Sequence, residues 1–147
     1  MGNSFATALQ RFADKTGAKL DLVVQETRRE IFTRLVLKSP VDTGRFRANW
    51  HIERGPHTYT TKKTSVELDA HSRFAAIPIS QPAWIINALP YGPVLEYGRY
   101  GTGQWATVKT TRDGYSVQAP YGMVRVTVAE FHDVVRDAVA LARRLYA

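Results

Sequence analysis

Cysteine is missing from this chain, which rules out disulfides and thiolate metal sites and gives no support to folding in an oxidising compartment. Long apolar runs are missing too: no window approaches the roughly 18 apolar residues of a membrane span. Residues 1–12 carry no basic head followed by an apolar core, so neither a signal peptide nor an anchor is expected. Ala6 stands where an N-myristoylation site wants Ser or Thr, so no lipid anchor is expected either. The expectation is synthesis in the cytoplasm, with no membrane partner.

Several chemical signatures are also lacking. The histidines, at 51, 57, 71 and 132, never fall at metal-ligand spacing, and no metal is expected. Gly98-Arg99-Tyr100-Gly101-Thr102-Gly103 is glycine-rich but lacks the Lys-Ser/Thr of a phosphate loop and the strand-to-helix setting of a dinucleotide fold. No serine has a Gly-x-Ser-x-Gly setting. No internal repeat or low-complexity segment is present. No cofactor and no catalytic residue are expected.

What is present is enough for one domain: 147 residues, 44% hydrophobic, should bury about two thirds of the surface the unfolded chain exposes. The net charge of +7 invites a nucleic-acid reading, so its distribution matters. Basic and acidic residues number seven and four in 1–38, five and four in 39–69, four and two in 70–117, and four and three in 118–147. The excess is spread out, with no arm or helix of the kind that reads DNA sequence. A sequence-blind DNA-binding protein stays open as an alternative.

The segment Ser39-Pro40-Val41-Asp42-Thr43-Gly44-Arg45-Phe46-Arg47-Ala48-Asn49-Trp50 is the most informative in the chain. Pro40 has no amide donor and pushes Ser39 out of the helical region, so a preceding helix must stop there. Asp42 is expected to cap the amides that follow, Gly44 to supply a tight turn, Phe46 to bury, and Trp50 to open the next apolar segment. Upstream, residues 1–38 read as an N-terminal helix, starting near Ser4, with Phe5, Leu9, Phe12, Leu20, Val23, Val24, Ile31 and Leu35 near a helical period and a bend or break at Gly17. At ~50 Å it is longer than a domain of this size needs, so part of it is expected to pack on a neighbouring subunit.

Residues 39–98 read as a core with a β arm: antiparallel strands from Ala48 to Glu53 and from Thr58 to Leu68 around Gly55-Pro56, then a short helix from Ala70 to Ile77. A buried strand from Ala83 to Ala88 and one or two helical turns from Pro90 to Gly98 complete it. Residues 99–117 read as an inserted, projecting β-hairpin on the Asp113-Gly114 signal. Residues 118–147 are expected to return to the sheet at Met123 to Val126 and then form an amphipathic helix lying on a sheet. That helix has Thr127 and Glu130 at capping-box spacing and Phe131, Val134, Val135, Ala138, Leu141, Ala142 and Leu145 on its apolar face. The expected fold class is α+β: a small antiparallel sheet packed against a long N-terminal helix and an amphipathic C-terminal helix, all one domain over 1–147, with the projecting hairpin.

Two carboxylates need weighing. Asp42-Thr43-Gly44 is the tripeptide of aspartic proteases, and a dimer would supply the pair that shares a proton. Such an aspartate should follow an apolar strand, whereas Asp42 follows a helix-ending Ser39-Pro40 and precedes Arg45, so a turn is the preferred reading. Glu96, between Leu95 and Tyr97, reads as a structural ion pair with an arginine such as Arg45.

Four ordered blocks resemble the neck or tail-completion proteins of long-tailed bacteriophages. They are Ser39 to Arg45 with Asn49-Trp50, Ile86-Asn87-Ala88-Leu89-Pro90-Tyr91, Leu95-Glu96-Tyr97-Gly98, and Gln118-Ala119-Pro120-Tyr121-Gly122 through Val128. The resemblance covers about Ser39 to Phe131, with residues 99 to 117 as an insertion. It implies a virion subunit at the head–tail junction, a ring around the DNA channel that joins head-completion proteins to the tail terminator or tail tube. Double-stranded DNA would pass without specific binding. A globule of this size is ~38 Å across, so six in a touching ring leave a hole of ~38 Å for a duplex of roughly 20 Å, and a homohexamer is expected. On this reading Pro40, Asp42, Gly44, Trp50, Asn87, Tyr91, Glu96, Gly98, Pro120 and Gly122 shape the core, and Trp105 and Tyr115 meet a neighbour. The tail terminator of the same junction is the alternative role.

Overall fold

The computed structural model describes residues 3–55, 61, 70–98 and 114–147. Its elements are α1 (Asn3–Lys38), α2 (Arg45–Ala48), β1 (His51–Glu53), α3 (Ala70–Ala75), β2 (Trp84–Ile86), α4 (Gly92–Tyr97), α5 (Val124–Ala129) and α6 (Phe131–Leu145). The long helix, the antiparallel two-stranded sheet and the C-terminal helix make a small α+β fold, as the residue pattern leads one to expect. The projecting hairpin lies outside the described residues from 99 to 113, as does the polar strand expected over 58–68, apart from Thr61.

Helix α1 ends at Lys38, where Pro40 dictates. It runs as one helix through Gly17, so the expected break is not there. Gly17 is exposed and a Cβ there would meet nothing within 4 Å, so the glycine weakens the helix by roughly 1 kcal/mol without a steric reason to bend it. Arg47 replaces the carbonyl partners that the helix end lacks: its Nη2 donates to Leu37 O at 3.1 Å and to Ser39 O at 2.9 Å.

The core joins the C-terminal third of α1 (Phe32, Leu35, Val36) to Phe46 and Trp50, to Ile52 of β1, to Phe74 and Ile77, and to Leu89, Leu95, Ala119 and Met123. Phe32 and Phe74 meet edge to face at 6.3 Å between ring centroids, and Phe46 and Trp50 do so at 5.9 Å. Arg28 ties α1 to the loop after α3, donating to Ile77 O at 2.9 Å and Gln81 O at 2.7 Å.

Several expectations are corrected. The stretch from Ala48 begins as helix, because Arg45–Ala48 closes a turn by Ala48 N–H donating to Gly44 O at 2.9 Å, and the strand starts only at His51. That strand pairs with β2, with Ile52 opposite Ile85. β2 is half-buried at best: Trp84 is 45% exposed, since the two strands among the described residues leave one face open. Met123 to Val126 does not rejoin the sheet, because α5 begins there. Thr127 caps nothing; it lies inside α5 and its hydroxyl donates to Met123 O at 2.8 Å. The C-terminal helix lies on α1 rather than on a sheet, burying Val134, Ala138 and Ala142 at steps of four residues. Small side chains at two of those positions let the helices approach closely. Glu130, at the start of α6, is held by Arg34 and by Lys38 Nζ at 2.9 Å, which fixes the two helices end to end.

The packing predicts that Phe74→Ala, at a ring only 1% exposed, lowers stability by about 3–5 kcal/mol. Leu37→Ala, 65% exposed on the same core helix, should stay within about 0.5 kcal/mol. Urea unfolding midpoints check both.

Candidate functional site: a joint built on a buried carboxylate

The four blocks singled out in the sequence fold back onto one another. Block one is anchored by Ser39, whose hydroxyl donates to Leu35 O at 2.6 Å and accepts from Trp50 Nε1 at 2.7 Å. Ser39, Asn49 and Trp50 are all buried. Gly44 adopts φ 80°, the left-handed turn expected of it. Asp42 does not cap: it is exposed, and the side-chain oxygen that serves this turn is Thr43 Oγ1, which accepts from Arg45 N–H at 3.3 Å.

Block two reaches the turn between the two halves of block one through Asn87, whose Nδ2 donates to Phe46 O at 2.8 Å while its Oδ1 accepts from Leu89 N at 3.3 Å. Tyr91 lays its ring 5.7 Å from that of Phe46. Block four reaches block one through Gln118, which accepts from Val41 N at 2.8 Å and donates to Val41 O at 2.9 Å. A side-chain amide thus imitates a strand neighbour for one residue.

Glu96 joins blocks three and four. Its Oε2 accepts from Met123 N at 2.7 Å and Val124 N at 2.8 Å, and its Oε1 from Arg125 N at 2.9 Å. These amides open α5, so the carboxylate satisfies the orphan donors of a helix start from 27 or more residues away. Arg125 closes the arrangement: its Nε meets Glu96 Oε1 at 3.2 Å, and its Nη2 donates to Glu96 O at 2.7 Å and to the Tyr115 hydroxyl at 3.0 Å. The guanidinium also lies 5.0 Å from the Tyr97 ring centre. Glu96 therefore is a structural carboxylate as expected, with Arg125 in place of Arg45 as its ion partner.

Burial pushes the Glu96 carboxyl up, but the amides of Met123, Arg125 and Val124 and the Arg125 guanidinium outweigh it and hold its pKa below 4.5. Lys38 and then Arg34 hold Glu130 low as well. Glycines fit the chain around the carboxylate. Gly98 ends α4 at φ 81°. Gly122 has φ 83°, and a Cβ on it would stand 2.5 Å from Glu96 O and 2.9 Å from Oε2. Pro120 and Gly122 form a local bridge around Tyr121.

The sequence missed Arg125, Gln118 and Arg47 as parts of this joint, since the partners of each lie far along the chain or are backbone atoms. One local signal was available: Arg125 follows Gly122 within a block already marked. Trp105 lies outside the described residues; Tyr115 is half-buried. Among the described residues, no group of three or more His, Asp or Glu is placed to hold a metal, and no helix is long and apolar enough to cross a membrane. The protease reading needs an apolar strand leading to Asp42, whereas α1 and a bend lead to it. Comparison with protein-family models, curated proteins and solved structures finds no match.

Two outcomes follow from the joint. Gly44→Ala and Gly122→Ala both place a side chain at a φ near 80°, costing roughly 1–2 kcal/mol, but only Gly122→Ala also collides with Glu96. Thermal unfolding should show the second variant clearly the less stable. Because the folded pKa of Glu96 is depressed, its contribution is complete above the unfolded value and drains away as pH falls through the folded one. Glu96→Gln should lower stability at pH 7 by about 1.5–3 kcal/mol and flatten the acid limb of the stability curve, measured by urea titration from pH 7 to pH 3.

Proposed function

We propose that the chain is a structural subunit of the neck of a long-tailed bacteriophage, a homohexameric ring that joins head-completion proteins to the tail and leaves a passage for double-stranded DNA. One observation carries the reading. The four blocks that resemble neck and tail-completion proteins are linked in space: Glu96 ties block three to block four, Gln118 ties block four to block one, and Asn87 ties block two to Phe46 within the Ser39–Trp50 corner. Residues with a shared structural task account for their ordered recurrence better than four unrelated similarities do.

The mechanism is geometric. A ring subunit must keep its shape while neighbours load it from the sides and from above and below, and a joint of charge-assisted hydrogen bonds in a buried setting resists that load. Many cations already serve the fold: Arg29 pairs with Glu26, Arg34 with Glu30 and Glu130, and Arg125 with Glu96. What remains for DNA is a weak, salt-sensitive and sequence-blind attraction, as a passage requires. Trp105 and Tyr115, in and beside the insertion, are assigned to contacts with a neighbour, and the reading gives the chain no catalysis.

Electron micrographs of intact particles, with the chain located by a fused tag, test this. Six copies in a ring between head and tail are expected. Six copies capping tails that lack heads would assign the tail-terminator role, and absence of the chain from the particle would contradict both.

A further inference from the structure

Helix α1 runs on past the described elements that pack on it. α6 starts beside Lys38 and Arg34, where Glu130 holds it, and packs back along α1 for 15 residues, a length of ~22 Å. Cover from α6 therefore runs out near Val23, and beyond it Arg11, Asp14, Lys15, Thr16, Gly17, Leu20 and Asp21 include the exposed positions, with Leu20 53% exposed. In sequence, Phe5, Leu9, Phe12 and Leu20 fall on one stripe of that stretch at helical spacing. A bare helical extension of this length is marginal in water without a partner.

At the other end of α1, the elbow between α5 and α6 shows the complementary surface. Val124, Val128 and Phe131 are exposed along one face at steps of four and three residues, and Tyr121 beside them is 74% exposed. An open, mainly apolar cleft of about 210 Å³ lies between Lys38, Tyr121 and Val126. Charge matches across the two ends. Residues 7–20 carry Arg11, Lys15 and Lys19 against Asp14, whereas on the elbow Glu130 is taken up by Arg34 and Lys38 and the exposed Asp133 and Asp137 share Arg136, which leaves one acidic charge over. Asp133 and Asp137 have side chains 58% and 69% exposed.

We infer that the N-terminal stretch of α1 in one copy docks on the α5–α6 elbow of the next, a head-to-tail contact between two different surfaces of the same chain. Phe12 and Lys38 are 26 residues apart on α1, a distance of ~39 Å, which is about one subunit diameter at ~38 Å. A stripe displaced by one diameter from its acceptor reaches the adjacent copy and not its own. Contacts of this kind close into rings when the rotation allows, so the inference rests on the ring reading above and names the lateral surface that reading leaves unspecified.

Sedimentation velocity of the full chain at about 10 to 100 µM, where a micromolar contact is populated, tests it with two variants, Leu20→Asp on the stripe and Val128→Asp on the elbow. Wild type should self-associate, each variant alone should sediment as a monomer, and their equimolar mixture should give a one-to-one dimer and nothing larger. The dimer arises because the elbow variant keeps an intact stripe and the stripe variant an intact elbow. Circular dichroism confirms folding, and Phe12→Asp or Tyr121→Asp replaces a variant that loses it. A monomeric wild type, a variant that associates like wild type, or a mixture that stays monomeric or regains the full oligomer overturns the inference. Rings in the particle that survive both variants would leave the neck reading standing while removing this contact, whereas a chain missing from the particle removes the reading itself.

Discussion

A single buried carboxylate decides how the second half of this protein folds. Glu96 sits at the end of α4 and receives the amides of Met123, Val124 and Arg125, which a helix start otherwise leaves without acceptors. Its charge is opposite in sign to the positive end of α5, so the dipole and the hydrogen bonds act together. Desolvation works against the ionised form, and the assembled donors exceed that cost.

The surroundings follow from that contact. Gly122 must lack a side chain because Glu96 occupies the space. Arg125 must lie along α4 because it neutralises the carboxylate and bonds Glu96 O, and from there it meets Tyr97 and Tyr115. Met123, 1% exposed, is carried into the core beside Leu95. The start of α6 is then set where Glu130 meets Arg34 and Lys38, so the two helices share an end. Gln118 closes the circuit by pairing with Val41 just past the end of α1.

What the residues revealed in advance was local. Pro40 stopped α1, Gly44 and Gly98 turned the chain at positive φ, and α3, α4 and α6 appeared where short-range patterns placed them. The errors share a cause. Val124-Arg125-Val126-Thr127-Val128 has the β-branched composition of a strand, and its helix is fixed by an acceptor in a different block. Thr127 and Glu130 imitate a capping box, yet Glu130 serves α1 and Thr127 bonds its own helix. Asp42 had the right type for a cap, and Thr43 supplied the side-chain oxygen instead. Of the joint, its residues could be read as a set, but not who bonds whom, because Arg125 and Gln118 act on partners 29 and 77 residues away.

A chain so arranged has a stiff centre, which suits the proposed role of a component that holds its neighbours at fixed spacing. That account stands on the ionised Glu96 bridging α4 to α5. An NMR titration following the amide protons of Met123, Val124 and Arg125 tests it most directly. The account predicts that the three signals, shifted downfield at neutral pH, move together with one midpoint below the 4.5 of an ordinary glutamate. Signals that do not respond to acid, or that follow a midpoint at or above that value, would contradict it.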